Sequence, residues 1–574
     1  MSKFIELYVF LFFFYSVSSL ALEKIPKEWY PLLLAQKRQS DLIKNPNLFY
    51  MSTGDPAVEF YDFLYAISSS KSRHQFICRY PARYLLLQNK SIVPTFDFSF
   101  CQELNRFTEG FQSKHLSLAL TSEYFNAPSS LFGHVMLVFH NDEIPEISAT
   151  AIHFAALTNE QDNIFAYIKN GLLGGYDGEY IRTSLLNKIF EYNKKEQRFI
   201  YFYNLNISEE DIRLIKYYLY ELRGIKFKYY FFNNNCADQI IDLLAPITPP
   251  KKKKSFIYTL PIEVLYAYKG AITNFSFLPP DIYYAQGIFA NLNQMDKEKL
   301  HGIIKNNFNN LSDIESSSNK LKHGLFLYNS YLFRKKNEIL PNYKVFSNLK
   351  FEEAPIKENV KNLDPLSRQL PSKIQVDAQH STDNAIGLIL SFRPVFVGID
   401  NFQNPSMHES TLSIAETKIS TIKTTRMEEF KIGELTLLTD YNFFSKNISW
   451  DGYLGLNREN TTDTLRLESR GGIGHTYSFF SRKLNVTWLG EFGLSSSKNK
   501  VWPFGMPKIS FWGYYPQNTK YVFEYEYKLI KGSNYQKLLF TIFYCIKSNI
   551  TLNINYKILS TKNVSEGIGI SYYF

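Results

Sequence analysis

The C-terminal third of the chain alternates apolar and polar residues with a period of two. In VFEYEYKL, which begins at Val522, aromatic residues alternate with charged ones, and TLNINYKI from Thr551 repeats the pattern with asparagines. Alternation of this kind is typical of antiparallel strands that have one polar face. Roughly ten such segments, separated by turns such as the one at Gly532-Ser533, follow Asn384. The pattern predicts an antiparallel β-barrel over residues 384–574.

Two features favour a barrel that crosses a membrane. The segments have the length of a transmembrane strand, about 9 to 11 residues, and aromatic residues make up 17% of the chain. The chain ends in GIGISYYF, which resembles the terminal strand of outer-membrane barrels, with Phe574 last. The alternative is a soluble β-sandwich or barrel with its apolar face inward, because alternation alone does not tell which face meets lipid. We expect an outer-membrane barrel.

The first 21 residues have the pattern of a cleaved secretory signal. Lys3 precedes an apolar run from about Leu7 to Val17, and Ser19-Leu20-Ala21 has the spacing that signal peptidase reads. An uncleaved anchor is the alternative, but the run is shorter than the ~20 residues of a spanning helix. We expect an exported protein of the periplasm and outer membrane of a Gram-negative bacterium.

Helical and strand patterns mix between the signal and the barrel. We expect an N-terminal helical region with a disulfide at 22–110, a catalytic domain at 111–270, and a helical and linker region at 271–383. The segment ISEEDIRLIKYYLYELRG predicts a helix over 207–224, because Ser208 and Asp211 form a capping box ahead of apolar residues at helical spacing. The expected fold class is therefore multi-domain α+β.

Charge and cysteine content narrow the possible partners. The net charge of +10 is spread along the chain, and its only basic run, Lys251–Lys254, reads as a solvated loop, so we expect no nucleic-acid partner. Cys78 and Cys101 lie 23 residues apart, and in an oxidising compartment we expect them to form a disulfide. Cys545 falls in a predicted strand, which leaves Cys236 without an obvious partner.

Cys236 stands at the start of an apolar helix, in FFNNNCADQIIDLL. A thiol attacks only as the thiolate, and the free N–H groups and positive dipole end of a helix N-terminus favour that anion. The three preceding asparagines suit a tight turn that presents the side chain, or they cap the helix. We interpret Cys236 as a nucleophile activated by the helix terminus.

A nucleophilic thiol needs a base, and two strand-like segments each supply one histidine. His134 lies in FGHVMLVF and His153 in AIHFAAL. Each is either a hydrogen-bonded core histidine or part of a site. We expect His134 to be the base and His153 to orient it, with Ser130, Asn235 and Tyr230 as candidates for binding substrate or an oxyanion. Zinc-ligand spacing is absent, and we expect neither a metal nor another cofactor.

The motifs SSLFGHVMLVF, AIHFAAL, KNGLLGGYDGEY and YYFFNNNCADQIIDLL, in this order, resemble the Lnb N-terminal periplasmic domain family. The resemblance implies a permuted, papain-like (NlpC-like) thiol fold in which the histidine precedes the cysteine. It also implies acyl transfer on lipidated bacterial lipoproteins, with His134 and Cys236 at the family positions. The β-region from Ser391 resembles the C-terminal part of the Gram-negative members.

These observations predict a periplasmic thiol acyltransferase or hydrolase, attached to the outer membrane and acting on lipid or lipoprotein acyl esters. One alternative is a cell-wall amidase or peptidase with the same triad, because the motif does not separate ester from amide. Another is an outer-membrane barrel or assembly protein that is not an enzyme, in which Cys236 is unreactive. The sequence gives no oligomeric state.

Overall fold

The computed structural model describes two compact units, one up to residue 356 and one from residue 357 onward. The described residues are 25–34, 43–68, 73–111, 113–124, 130–159, 161–251, 258–306, 311–336, 364–382, 385–398, 408–422, 424–442, 446–458, 464–480, 483–497, 500–515, 518–531, 534–560 and 563–574. The expected signal peptide and much of the expected linker lie outside these ranges. Among the helices in these ranges, none has the length and apolar character needed to cross a bilayer.

The N-terminal part of the first unit is helical. Its helices are α1 (Trp29–Leu32), α2 (Pro46–Phe49), α3 (Pro56–Ser68), α4 (Arg73–Arg79), α5 (Pro81–Asn89) and α6 (Gln102–Glu109). A disulfide joins Cys78 at the end of α4 to Cys101 ahead of α6, the pairing that the sequence predicts, with 5.2 Å between the Cα atoms. The buried Arg83 in α5 donates to Glu221 over 3.1 Å. Glu221 ends the helix at residues 209–221, so this bond ties the N-terminal helices to the rest of the unit.

A seven-stranded antiparallel sheet forms the centre of the first unit. Its spatial order is β6-β4-β3-β2-β1-β5-β7. The strands are β1 (His115–Thr121), β2 (His134–His140), β3 (Thr150–Leu157), β4 (Tyr176–Ser184), β5 (Ile200–Leu205), β6 (Phe227–Tyr229) and β7 (Ile272–Leu278). The last strand lies beyond residue 270, where the sequence places the end of the catalytic domain.

Helices lie on both sides of this sheet. They are α7 (Ile164–Leu173), α8 (Leu185–Lys188), α9 (Glu209–Glu221), α10 (Cys236–Leu244) and α11 (Pro261–Tyr268). A π-helical turn, Ile189–Lys195, continues α8. On one face of the sheet, Met136, Val138 and Ala151 pack against Leu185 and Tyr192 of this continuous segment. On the other face, the hydroxyl of Tyr180 donates to the carbonyl of Gln239 in α10 over 2.9 Å.

The first unit ends in four further helices, which correspond to the helical part of the predicted 271–383 region. They are α12 (Asp281–Ala290), α13 (Gln294–Lys305), α14 (Leu311–Glu315) and α15 (Asn319–Lys336). Asp281 of α12 is buried and accepts from Arg334 of α15 over 2.8 Å. A second cation, Lys194 of the π-helical turn, pairs with the same carboxylate.

The second unit is a closed antiparallel barrel. Its strands are β8 (Lys373–Ser381), β9 (Ile386–Arg393), β10 (Val395–Val397), β11 (His408–Ser420), β12 (Arg426–Thr439), β13 (Ser449–Arg458), β14 (Leu465–Phe479), β15 (Leu484–Ser497), β16 (Lys500–Tyr514), β17 (Thr519–Ile530), β18 (Tyr535–Lys547), β19 (Ile550–Leu559) and β20 (Asn563–Tyr573). Both β9 and β10 pair with β11, so they form one interrupted strand and the barrel has twelve. This architecture confirms the expected fold class, an α+β unit followed by an antiparallel barrel.

The barrel begins earlier than the sequence predicts. We expected residue 384 as its start, but β8 precedes that position and pairs with β20, from Ser565↔Ser381 to Tyr573↔Lys373. It pairs with β9 on its other side. The strand that closes the barrel is thus its first strand, and its partner lies almost 200 residues further along the chain, which local periodicity does not reveal.

The polarity of the barrel decides between the two predicted arrangements. Ile568 and Ile570 of β20 are 58% and 48% exposed, whereas the next residue, Ser571, points to the other face and is fully buried. Charged side chains such as Glu416 and Glu491 are buried inside the barrel. An apolar outer surface around a polar interior is the arrangement of a transmembrane barrel and the reverse of a soluble sandwich.

Candidate functional site

The two strands that carry the predicted histidines separate at one end. Strands β2 and β3 pair from Phe139↔Thr150 to Leu137↔Ile152 and no further, although β2 extends back to His134 and β3 extends on to Leu157. The unpaired ends form a fork in the sheet, and we call it the β2–β3 fork. By the register of the paired part, His134 and His153 project from the same face on either side of it.

The two imidazoles meet across this fork. Their ring centroids lie 5.6 Å apart and their planes make an angle of 78°. The ring of Tyr192, from the π-helical turn, lies 5.8 Å from that of His134. Nε2 of His134 and Nδ1 of His153 are both buried, and neither has a hydrogen-bond partner among the residues that the structure describes. Buried ring nitrogens in folded proteins are normally bonded, so two neighbouring imidazoles that each keep one open nitrogen make the fork a candidate site.

Cys236 stands at the start of a helix that lies on the opposite face of the sheet. Tyr180 pairs with Phe154, the neighbour of His153, so its ring lies on the other face of the sheet, where it bonds Gln239 of α10. Cys236 is the first residue of that helix and is 5% exposed. A backbone hydrogen bond from Val135 lowers the pKa of its thiol. A bond with that effect is donated to sulfur by an N–H group.

The direction of that N–H group follows from its neighbour. The N–H of His134 points toward β1, where Oγ1 of Thr121 accepts it over 3.0 Å. Successive N–H groups of a strand point to opposite edges, so the N–H of Val135 points into the β2–β3 fork. The effect of Val135 on the thiol thus indicates that Cys236 lies near this end of β2. Helix α10, which begins with Cys236, packs against both β2 and β3, the strands that carry the two histidines.

The protonation states differ from those expected for an activated thiolate. Burial raises the pKa of the Cys236 thiol to about 11, in spite of the hydrogen bonds donated by backbone groups. Burial, reinforced by His153, Lys188 and Arg198, holds the pKa of His134 well below its usual value. Burial and Lys188 lower the pKa of His153 to about 3. At neutral pH the site thus holds a neutral thiol and two neutral imidazoles, because desolvation outweighs the helix terminus.

The asparagines before Cys236 build the turn and cap the helix. Oδ1 of Asn235 accepts from the backbone N–H groups of Ala237 and Asp238, over 2.9 and 3.2 Å. Its amide donates to the carbonyls of Phe231 and Thr259. Asn234 has a positive φ of 48°, a conformation that asparagine tolerates better than most residues. The side chain of Asn235 is thereby fully used within the protein.

Ser130 and Tyr230, the other two candidates, have roles in the loops around the site. The carbonyl of Ser130 accepts from the N–H groups of Tyr124 and Gly133, over 2.9 and 3.0 Å, which folds the turn before β2. The ring of Tyr230 packs so closely on Gly174 that a Cβ there would come within 2.4 Å of it. Gly174 also has a positive φ of 73° as the C-cap of α7. Only glycine satisfies both conditions readily.

Other polar residues near the site were not evident from the sequence. Lys188 and Arg198 are buried, and both act electrostatically on His134. They are balanced by Glu191 and Glu196, over 2.7 and 2.9 Å. Their spacing in the sequence resembles that of ordinary surface charges, so no local pattern would have identified them.

The remaining buried histidine of the sheet illustrates the alternative role considered for His134. Nε2 of His140 bonds the hydroxyl of Ser117 over 2.7 Å, and Nδ1 bonds the carbonyl of Asp142 over 2.6 Å. It is a satisfied core histidine. Among the described residues, no group of three or more histidine, cysteine or acidic side chains is arranged to hold a metal ion.

Comparisons with known proteins divide the chain at the same place as the fold. Residues 103–269 match the family model of the Lnb N-terminal periplasmic domain. Residues 363–573 match a domain of unknown function, DUF7840. No curated protein matches the chain.

Several solved outer-membrane proteins are similar to part of the chain. The KdgM porin is 14% identical and covers 35% of this chain and 99% of its own, with a TM-score of 0.23. OmpT, an outer membrane protein of Vibrio cholerae, is 9% identical over 35% of this chain and 96% of its own, with a TM-score of 0.21. An anion-selective porin from Comamonas acidovorans is 7% identical over 35% and 98%, with a TM-score of 0.20.

The periplasmic domain family, together with a barrel whose outer surface is apolar, confirms the expected location in the periplasm and outer membrane. The order of the two matches also agrees with the resemblance read from the motifs around His134 and Cys236. Residues 103–269 thus match the family model of the Lnb N-terminal periplasmic domain, and a twelve-stranded barrel follows them.

Proposed function

We propose that the periplasmic domain is a thiol-dependent acyltransferase or hydrolase that acts on acyl esters of lipids or lipoproteins. Cys236 is the nucleophile and His134 the general base. The observation that carries this proposal is the open, buried Nε2 of His134, on a strand against which the helix that begins with Cys236 packs.

The neutral forms of both groups define how the first step proceeds. As Sγ of Cys236 attacks the ester carbonyl, its proton passes to Nε2 of His134, so that no thiolate is needed beforehand. The carbonyl carbon then loses the alcohol, which takes the proton back from the imidazolium. An acyl thioester on Cys236 results. Water, or the hydroxyl or amine of an acceptor, attacks the thioester, releases the acyl group and restores the thiol.

The negative charge that develops on the carbonyl oxygen needs donors near the sulfur. The backbone N–H groups of Val135, Ala237 and Cys236 all lower the pKa of the thiol. That of Ala237 is already donated to Oδ1 of Asn235. We therefore assign the oxyanion role to the N–H groups of Val135 and Cys236. The amide of Asn235 is committed to two carbonyls and does not serve. Ser130 and Tyr230 remain candidates for contacts with more distant parts of the substrate.

His153 is a positioning residue in this scheme. Its ring stands nearly perpendicular to that of His134 and limits the ring's rotation. It also disfavours the imidazolium form of His134 at rest, since it lowers the pKa of that residue. A base that stays neutral down to acidic pH is available to accept a proton throughout the range of the periplasm.

The barrel supports a membrane-anchored enzyme rather than a channel. Lys528 of β17 pairs with Glu468 of β14, and these strands are separated by two others. Arg470 of β14 reaches Glu434 of β12 over 4.0 Å, also past an intervening strand. The Lys528–Glu468 pair is almost fully buried, so it occupies interior space that an open pore would leave free. An anchored domain remains close to ester bonds at a bilayer surface.

Turnover of two substrate classes tests this proposal. The full chain in detergent micelles is incubated either with a diacylated lipopeptide and phospholipid or with amide-linked muropeptides, and the products are identified by mass spectrometry. We expect loss or transfer of an acyl chain, absent in Cys236→Ala. Cleavage of the muropeptides alone would establish the amidase alternative. No reaction with either class, or activity that persists in Cys236→Ala, would overturn the assignment of the thiol.

A further inference from the structure

Helix α7 exposes an apolar face to solvent. Phe165 and Leu173 are 82% and 69% exposed, and Ile168 and Leu172 are 38% and 44% exposed. At 100° per residue these four positions and the exposed Lys169 fall within one arc of about 140°. Large apolar side chains clustered on one exposed face mark an interaction surface, unlike apolar residues scattered singly. We call this set the α7 outer face.

The opposite side of the helix is firmly held, so the outer face is not an unfolded segment. Tyr167 packs against Phe231 with 5.3 Å between ring centroids. Asn170 donates to Asp162 over 3.2 Å. Gly171 lies so close to Phe231 that a Cβ there would come within 2.2 Å of the ring. The helix therefore presents the same apolar residues in a fixed orientation.

The helix is connected to the nucleophile through two residues. The N–H of Phe231 donates to the carbonyl of Gly171 over 2.8 Å. The carbonyl of Phe231 accepts from Asn235 over 3.1 Å. Asn235 caps the helix that begins with Cys236. The helix that carries the α7 outer face is therefore linked through Phe231 to the turn that precedes the thiol.

We propose that the α7 outer face docks on the surface of a phospholipid bilayer that contains anionic lipid. A helix with large apolar residues and lysine but no acidic side chain on one face has the composition of an interfacial membrane helix. Beyond the C-cap of α7, the ammonium groups of Lys44 and Lys226 share the carboxylate of Asp177, so these three side chains together carry one positive charge. The barrel in the same chain keeps the domain near a bilayer, so even a weak contact is populated.

Docking deepens the proposed function, on which this part rests, by naming the source of the substrate. An acyl ester would reach Cys236 from lipid already in contact with α7, without leaving the membrane for water. The contact itself does not depend on the chemistry, because none of the residues on the α7 outer face takes part in it. The two are therefore testable separately.

The test uses the full chain with Cys236→Ala, so that its outcome is independent of catalysis. The protein is placed in nanodiscs of phosphatidylethanolamine with phosphatidylglycerol, with p-benzoylphenylalanine at position 165. The control carries the same photoreactive residue at position 210, where the exposed Glu210 lies on α9. After irradiation, mass spectrometry quantifies adducts with lipid. We expect at least ten-fold more lipid adduct at position 165 than at position 210.

Other outcomes would contradict the proposal. Equal yields at the two positions, or an adduct with a second copy of the chain in place of lipid, would show that a membrane does not cover the α7 outer face. Nanodiscs without phosphatidylglycerol are expected to lower the yield at position 165 several-fold, as is Lys169→Glu. An unchanged yield in both cases would refute the role of anionic lipid. Absence of a lipid adduct at position 165, combined with esterase activity of the chain that retains Cys236, would reject docking and leave the proposed chemistry intact.

Discussion

The imidazole rings of His134 and His153 lie 5.6 Å apart between centroids, with their planes at 78°. The two strands that carry them separate beyond Leu137↔Ile152. Each ring projects from a regular strand, so no loop is needed to position it. Burial holds the pKa of both rings below its usual value.

The first prediction concerns the reactivity of the thiol with pH. Because burial raises the pKa of Cys236 to about 11, we expect its alkylation by iodoacetamide to be slow at pH 7 and to rise about ten-fold per pH unit up to that range. Peptide-level mass spectrometry of the full chain in micelles, at pH values from 6 to 10.5, measures the rate. The reduced protein unfolded in denaturant provides the control, in which labelling reaches its plateau near pH 9.

A rapid reaction at pH 6 would contradict this expectation. It would mean that Cys236 rests as a thiolate beside an imidazolium, the state that a helix N-terminus alone would favour. His134→Gln separates the two cases further. With a neutral resting pair, the substitution leaves the pH profile of alkylation nearly unchanged, whereas loss of an ion pair would raise the thiol pKa.

The second prediction concerns acid stability. The pKa of His153 is about 3 in the folded protein, against about 6.5 when unfolded. Its contribution to stability is therefore complete above pH 6.5 and is lost progressively as the pH falls toward 3. Replacement by a neutral side chain in His153→Asn removes this loss, which is roughly 3 kcal/mol at pH 4.

Urea unfolding followed by the fluorescence of Trp29 measures this effect. Trp29 is buried against Phe60 in the first unit, and the other four tryptophans, at 450, 488, 502 and 512, lie in the barrel. We expect the free energy of unfolding to fall less between pH 7 and pH 4 in His153→Asn than in the wild type. Parallel losses in the two proteins would show that His153 titrates normally.

Local patterns in the sequence were sufficient where the structure depends on near neighbours. The period of two around Tyr525 and the capping residues at Ser208 predicted the barrel strands and helix α9 to within a few residues. The closure of the barrel by β8 was not predictable in this way. Pairing between Lys373 and Tyr573 depends on contacts between distant parts of the chain.

The candidate site also has a part that local sequence patterns predict and a part that they do not. The residue types and their order singled out His134, His153 and Cys236, and the structure places the two imidazoles side by side at the β2–β3 fork. The catalytic roles of the three residues stay predictions. The charge state of the thiol was predicted incorrectly, because the helix N-terminus is visible in the sequence and burial is not. Lys188 and Arg198 were missed for the same reason, because only the folded chain brings them close enough to His134 to lower its pKa.

The third prediction tests whether Asn235 stabilises the start of helix α10 as its cap. Asn235→Ala removes two acceptor contacts to N–H groups and leaves two buried carbonyls without donors. We expect a loss of about 2 kcal/mol or more in the free energy of unfolding. The exposed Asn233 provides the matched control, and Asn233→Ala is expected to change stability by less than about 0.5 kcal/mol. Equal stability of the two variants would refute the cap.

The fourth prediction concerns the interior of the barrel. Lys528 and Glu468 are each almost fully buried, so Lys528→Met alone leaves an uncompensated carboxylate inside the barrel. We expect a loss of about 3 to 5 kcal/mol in barrel stability. The double variant with Glu468→Gln restores neutrality and is expected to recover most of this loss. Heat-dependent mobility in detergent gels reports the folded fraction, and a double variant no better than the single one would contradict the prediction.

The central claim is tested most directly by trapping the acyl group. The full chain in micelles is mixed with a p-nitrophenyl ester of a medium-length fatty acid, quenched within seconds at mildly acidic pH, and analysed by intact and peptide-level mass spectrometry. Cys545, the other free cysteine, serves as an internal control for nonspecific acylation. We expect one acyl group on Cys236, formed about 10²- to 10⁴-fold more slowly in His134→Gln. Acylation that is equal at Cys236 and Cys545, or unaffected by His134→Gln, would contradict the assignment of Cys236 and His134 as nucleophile and base.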